Sequence, residues 1–311
     1  MKTEILSLQS KGSFFHVKCW LPDEEPKAVV QISHGMAEHI DRYDRFAKTL
    51  VNEGYAVFGN DHRGHGKTAV TKEDLGFFAE KDGWKLVVED MYSLNLMIKE
   101  KYPDLPVFIF GHSMGSFLTR RYIQLYGEEL DGVILSGSGG DGGLLGKLGV
   151  HIVKYEVKRK GARGRSPRMN KLIFGKFNKN FHPNRTEFDW ISRDENEVDK
   201  YVEDPFTGGV CTASFYYDML SGVQELHKLE NIQKTPKNLP IYFLSGDKDP
   251  VGNFGKDIKK VVSLYQNSGV KDISYKLYKD ARHELLNELN FDEVTHDIRS
   301  WLQERLNKMD T

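Results

Sequence analysis

A chain of 311 residues, 39% hydrophobic and 29% charged, is long enough for one large core and too apolar for a disordered polymer. The net charge of -1 excludes a global bias toward nucleic acid. The only two cysteines, Cys19 and Cys211, form no CxxC pair, so a cysteine zinc site or a redox motif is excluded and two buried thiols are expected. Met1-Lys2-Thr3-Glu4 opens a short mixed segment without the apolar stretch of a signal peptide. No run approaches the ~18 apolar residues of a membrane span, and a cytoplasmic protein is expected.

In chain order, Phe14 to Trp20 and Ala28 to Ile32 read as strands, and Asp41 to Asn52 as a helix with Tyr43, Phe46, Leu50 and Val51 near helical spacing. Tyr55 to Gly59 is again a strand and Trp84 to Lys101 a helix. Val107 to Phe110, Met114 to Tyr126 and Val133 to Ser136 continue as strand, helix, strand. Such alternation predicts an α/β architecture, a mostly parallel sheet flanked by helices. From Gly137 to Gly146 dense glycine predicts a turn out of the sheet, and from Lys147 to about Gly222 the reading is helical and loop-rich. The sheet pattern resumes at Ile241 to Leu244. A helix at Phe254 to Gln266, a strand at Ile273 to Leu277 and a helix at Glu293 to Leu306 follow. The expected organisation is a core of residues 1–138 and 223–311, interrupted by a mostly helical insertion over 139–222.

Gly111-His112-Ser113-Met114-Gly115 fits G-x-S-x-G and is the only match in the chain. In such an elbow a strand turns sharply into a helix, so that the serine stands clear at the tip. Glycines two residues to either side avoid backbone clashes. Pro106 to Phe110 before it and Ser116 to Tyr126 after it supply the strand and the helix, which makes Ser113 the candidate nucleophile. A serine nucleophile needs a base, and the base an orienting acid, in the order serine, acid, histidine. Of eleven histidines, only His283 follows the last predicted strand and lies downstream of plausible acids. Just past the strand Ile241 to Leu244 stand Asp247 and Asp249, which spacing alone does not separate; either could also be a turn-forming aspartate. Two backbone donors should face the developing oxyanion. The Met114 amide directly follows the nucleophile, and the Met36 amide lies in the loop Ser33 to His39, where Gly35 lets the chain turn toward the serine. His34, Glu38 and His39 read as a hydrogen-bond cluster holding that loop, and no convincing metal ligand set is found. Asp61-His62-Arg63-Gly64-His65-Gly66 reads as a structural loop bordering the site.

Taken together, His34-Gly35-Met36-Ala37-Glu38-His39 with Arg42-Tyr43, Asp61 to Gly66, Gly111 to Ser116, Gly246 to Val251 and Arg282 to Glu288 resemble the monoacylglycerol lipase/lysophospholipase family of α/β-hydrolases. Arg185 to Trp190, Asp199 to Val202 and Asp204-Pro205 look like the cap of its bacterial members. The resemblance implies the α/β-hydrolase fold with a helical cap inserted after the sixth strand, and a triad of Ser113, Asp249 and His283. Asp249 is picked because the family acid lies three residues after the glycine matching Gly246. It also implies an oxyanion hole from Met36 and Met114, no cofactor, and hydrolysis of a small-molecule or lipid carboxylic ester.

Lys147 to Lys179 departs from the hydrophobic cap of a membrane-docking lipase, with eleven cations and Glu156 as its only acid. Two readings follow: the acids between Glu187 and Asp204 pair with the stretch or share a screened surface with it, or the stretch steers an anionic substrate or rests the site mouth on an anionic lipid surface. Two other functions compete with ester hydrolysis. An N-terminal-residue peptidase would need an acid to hold the free amine, for which Asp194, Glu195, Glu197 and Asp199 are candidates. A ligand-binding receptor would keep the pocket without turnover.

Overall fold

The computed structural model describes residues 1–309. Its centre is an eight-stranded sheet of order β1-β2-β4-β3-β5-β6-β7-β8. The strands are β1 (Lys2–Ser10), β2 (Ser13–Leu21), β3 (Ala28–Ser33), β4 (Tyr55–Asn60), β5 (Val107–His112), β6 (Gly132–Ser136), β7 (Ile241–Gly246) and β8 (Ile273–Tyr278). β1 pairs antiparallel with β2, and β2 with β4; every other pairing is parallel. This is the expected mostly parallel α/β sheet.

The central strands are apolar throughout because both faces are covered. Period-two alternation divides their side chains between two cores. Val29, Val107 and Ile109 join one core with α2 (Gly83–Lys101), α3 (Met114–Tyr126) and α9 (Lys256–Asn267). Val30, Ile32, Phe108 and Phe110 join the other with α1 (Asp44–Val51) and α10 (Phe291–Met309).

Between β6 and β7 the chain leaves the sheet for α4 (Gly143–Lys160), α5 (Pro167–Phe174), α6 (Glu195–Glu203), α7 (Ala213–Leu226) and α8 (Leu229–Ile232). The helical insertion thus follows the sixth strand, as expected. Its own cluster contains Trp190, Ile191, Val198 and Tyr201, with Phe174, Phe177 and Phe188 packed against them. Val251, beyond the end of β7, packs against this cluster, and Trp190 packs on His283, beyond β8.

Three local readings change. The opening mixed segment, given no element from the sequence, is strand β1, paired along its whole length with β2. Glycines 137–146 do not stay a turn, since α4 begins at Gly143 behind the left-handed Gly142. The ninth helix starts at Lys256 rather than Phe254, because Asn253, Phe254 and Gly255 all hold positive φ (50°, 57° and 77°), which no right-handed helix accepts.

Candidate active site

Ser113 sits between β5 and α3 with φ 51° and ψ -118°, a conformation that costs an L-residue strain and is held by its surroundings. Its amide donates to Ser136 O on the neighbouring strand at 2.9 Å. Gly115 lies so close to the end of β3 that a Cβ there would come 2.0 Å from Ser33 O. Only glycine lets the first turn of α3 reach the loop that follows β3.

His283 lies beyond β8 and Asp249 beyond β7. His283 Nε2 accepts from Ser113 Oγ at 2.9 Å, and its Nδ1 lies 3.0 Å from both oxygens of Asp249. Asp249 is fully buried, and Val251 N–H donates to its Oδ1 at 2.8 Å. Asp247 does something else: its Oδ1 accepts from the Asp280 amide at 2.8 Å and holds the turn after β8. The structure therefore brings Ser113, His283 and Asp249 into one hydrogen-bonded chain and leaves Asp247 out of it. Burial opposes a charge on His283, but the Asp249 carboxylate, with smaller help from Glu284 and Glu38, outweighs it and raises the imidazole pKa above its ordinary value.

Met36 and Met114 line the same cavity as Ser113 and His283. The loop carrying Met36 is fixed from behind. Glu38 Oε1 accepts from the Gly35 amide at 2.5 Å and from Tyr43 Oη at 2.9 Å. A Cβ on Gly35 would fall 2.6 Å from Glu38 Oε1 and 3.3 Å from Ser113 Cβ, so the chain passes directly between the two. Arg42 joins Glu38 to Glu284 at 2.7 Å each, tying the loop after β3 to the residue that follows His283. Its guanidinium pulls the Glu284 carboxyl well below the usual carboxylate range, against burial. Glu284 N–H donates in turn to Ile191 O of the insertion at 2.7 Å. His34 and His39 belong to the frame. His34 Nδ1–H donates to Gly35 O, its Nε2 accepts from the His62 amide, and His39 pairs with Asp204 at 2.8 Å. Among the described residues no group of three or more His, Cys, Asp or Glu is arranged to hold a metal ion.

The insertion covers a cavity of about 710 Å³ over Ser113. Its wall is mainly aromatic and aliphatic, with Phe117, Phe174, Phe177, Phe188, Trp190 and Val251, and carries polar residues such as Asn170, Asn178 and Thr186 as well. The Trp190 ring packs on His283 with centroids 5.0 Å apart. The roles of Arg42, Glu284 and Trp190 are not visible in the sequence, although all three lie within the motif stretches. No local spacing connects residues that are 242 positions apart, as Arg42 and Glu284 are.

The family model described as Hydrolase_4, serine aminopeptidase S33, matches residues 24–290. The chain belongs to this serine hydrolase family. Among its relatives, the chain is 27% identical over 308 residues to the mouse monoglyceride lipase, covering 96% of this chain and 90% of that one. It is 28% identical over 291 residues to the monoacylglycerol lipase of Mycolicibacterium smegmatis, covering 92% of each. Among solved structures, a thermostable carboxyl esterase from Bacillus coagulans, in complex with glycerol, superposes with a TM-score of 0.91 at 30% identity, covering 98% of this chain and 99% of that chain. This serine hydrolase therefore has the α/β-hydrolase fold and is an ester hydrolase.

Proposed function

We propose that the protein hydrolyses monoacylglycerols or closely related single-chain acyl esters through an acyl-enzyme on Ser113. The observation that carries this reading is the Ser113–His283–Asp249 chain at the base of a mainly apolar cavity of about 710 Å³, which has room for one acyl chain. In this scheme Ser113 Oγ attacks the ester carbonyl and passes its proton to His283 Nε2. Asp249 holds the Nδ1–H tautomer and stabilises the imidazolium. The amides of Met36 and Met114 receive the negative charge that develops on the carbonyl oxygen. Collapse of the tetrahedral intermediate breaks the bond to the alcohol, which leaves with the proton from His283. Residues 139–222 act as the cap that shapes the acyl site, on a core of 1–138 and 223–311.

The cap also offers a surface for peripheral contact with anionic lipid. The acids between Glu187 and Asp204 do not neutralise the basic stretch: Glu195 and Asp199 pair with Arg185, and Glu197 with Lys200. Glu156 is ringed by Arg159, Lys160 and Arg168. Arg163 binds Asp74 and Glu80 of the core. The six lysines of the stretch other than Lys160 make no ion pair among the described residues. On the outer face of α4, Leu144, Leu148 and Tyr155 stand exposed beside Lys147, Lys154 and Lys158. Apolar side chains among unpaired lysines are the composition of an interfacial helix. Among the described residues no helix is long and apolar enough to cross a membrane.

The family description also raises aminopeptidase activity, which needs a carboxylate for the free amine. Asp194, Glu195, Glu197 and Asp199 do not line the cavity. Glu38 and Glu284 do, but Arg42 holds both, which leaves only Glu187, exposed on the wall. Side-by-side rates on a long-chain monoacylglycerol and on aminoacyl anilides decide between the two. The ester should be cleaved and the anilides left intact; the reverse preference would replace this reading.

A further inference from the structure

The second half of an acyl-enzyme reaction needs a water molecule beside His283, in a cavity that then also holds the acyl chain. Beside the main cavity lies a side cavity of about 10 Å³, lined by Glu38, Arg42, Tyr43, His112, Glu284 and Asn287, with Leu286 as its apolar wall. That volume admits about one water molecule, and the walls supply the polar partners that such a water requires. Glu38, His112 and Glu284 line both cavities, so the small one opens toward the site.

His112 differs from its neighbours there. Glu38, Arg42, Tyr43, Glu284 and Asn287 already bond to one another. The His112 side chain is buried, 6% exposed, and makes no hydrogen bond among the described residues. Its ring packs against His283 with centroids 4.9 Å apart. Burial, with the nearby His283 adding to it, pulls its pKa down to about 4, so at neutral pH it is an uncharged imidazole with one donor and one acceptor nitrogen. Its ring nitrogens have no protein partner and are not among the fully buried polar atoms, so they face accessible cavity space, where water is their available partner.

We infer that His112 holds the hydrolytic water at the junction of the two cavities, and so acts as the water-positioning residue of deacylation. The inference rests on the acyl-enzyme reading above. The water oxygen attacks the carbonyl carbon of the Ser113 ester while His283 Nε2 takes its proton. The tetrahedral intermediate then breaks its bond to Ser113 Oγ, which recovers the proton from His283, and the free acid leaves. His112 is not needed to form the acyl-enzyme, in which the attacking oxygen is Ser113 itself.

Pre-steady-state hydrolysis of a p-nitrophenyl ester by His112→Phe and His112→Gln separates the two half-reactions. Losing one hydrogen bond to the water corresponds to about a tenfold rate change. His112→Phe should keep the burst rate and slow the steady phase about tenfold, and His112→Gln, with a donor and an acceptor, should recover most of it. With methanol present, the Phe variant should form more methyl ester relative to free acid than the native enzyme. The burst counts only competent sites, so misfolded protein alters its amplitude and not the rate constants; His112→Leu serves if the Phe variant does not fold. Equal slowing of both phases, equal behaviour of Phe and Gln, or an unchanged methanolysis ratio would overturn the inference. Complete absence of a covalent intermediate in the native enzyme would instead remove the acyl-enzyme reading beneath it.

Discussion

Both carboxylate oxygens of Asp249 lie 3.0 Å from His283 Nδ1, while Asp247, two residues earlier, faces away and accepts the Asp280 amide. A carboxylate against Nδ1 fixes the tautomer in which Nε2 can accept the serine proton. A carboxylate that holds a turn does not. Asp249→Asn should lower kcat/KM by roughly 10³–10⁴-fold, and Asp247→Asn by less than about tenfold. Parallel kinetics on one soluble ester check this, and comparable losses from the two variants would contradict the assignment.

The pH dependence follows from the same contact. In the proposed mechanism His283 must be neutral, and its pKa is raised, so activity should climb with pH along a single limb centred above the ordinary histidine value of about 6.5. Removing the Asp249 charge leaves burial as the main influence, which favours the neutral ring. The residual activity of Asp249→Asn should therefore show its limb shifted to lower pH. A kcat/KM profile of both proteins between pH 5 and pH 9 reads the two midpoints, and an upward shift in the variant would contradict this electrostatic account.

The basic outer face of the cap should appear in the salt response. Exposed charges act over roughly 10 Å at 0.1 M salt. Hydrolysis of an ester in anionic micelles should fall several-fold from low to high salt, with a neutral soluble ester nearly unchanged. Changing Lys147, Lys154 and Lys158 to Gln should reproduce the high-salt behaviour at low salt. An equal salt response for the two substrates would mean that the lysines only solvate the cap.

The sequence made the parallel core legible because each buried element carries its own period. The helix expected over Met114 to Tyr126 is α3 to the residue, since a strand, an elbow and an amphipathic run adjoin there. β1 was missed because it is an edge strand covered on one side, and Ile5, its most apolar-looking signal, points outward at 55% exposure. The elbow motif and the order of residues after the predicted strands named Ser113, His283 and two candidate acids. Spacing could not separate the acids, because the choice depends on how the turns after β7 and β8 pack together. The links of Arg42 to Glu284 and of Trp190 to His283 arise only when the cap and both sheet halves meet. The charge of the cap was visible in the sequence, but its pairing was not: the later acids turn to Arg185 and Lys200, and Arg163 reaches across to Asp74.

The central claim is that Ser113 carries the acyl group. Its most direct test is intact-mass and peptide mapping after treatment with a fluorophosphonate, alongside monoacylglycerol turnover, for the native enzyme and for Ser113→Ala. The account predicts one adduct per chain, mapped to Ser113, and a variant that folds normally, takes no label and loses turnover by at least about 10³-fold. Label on another residue, or a Ser113→Ala protein that still cleaves the ester, would contradict it.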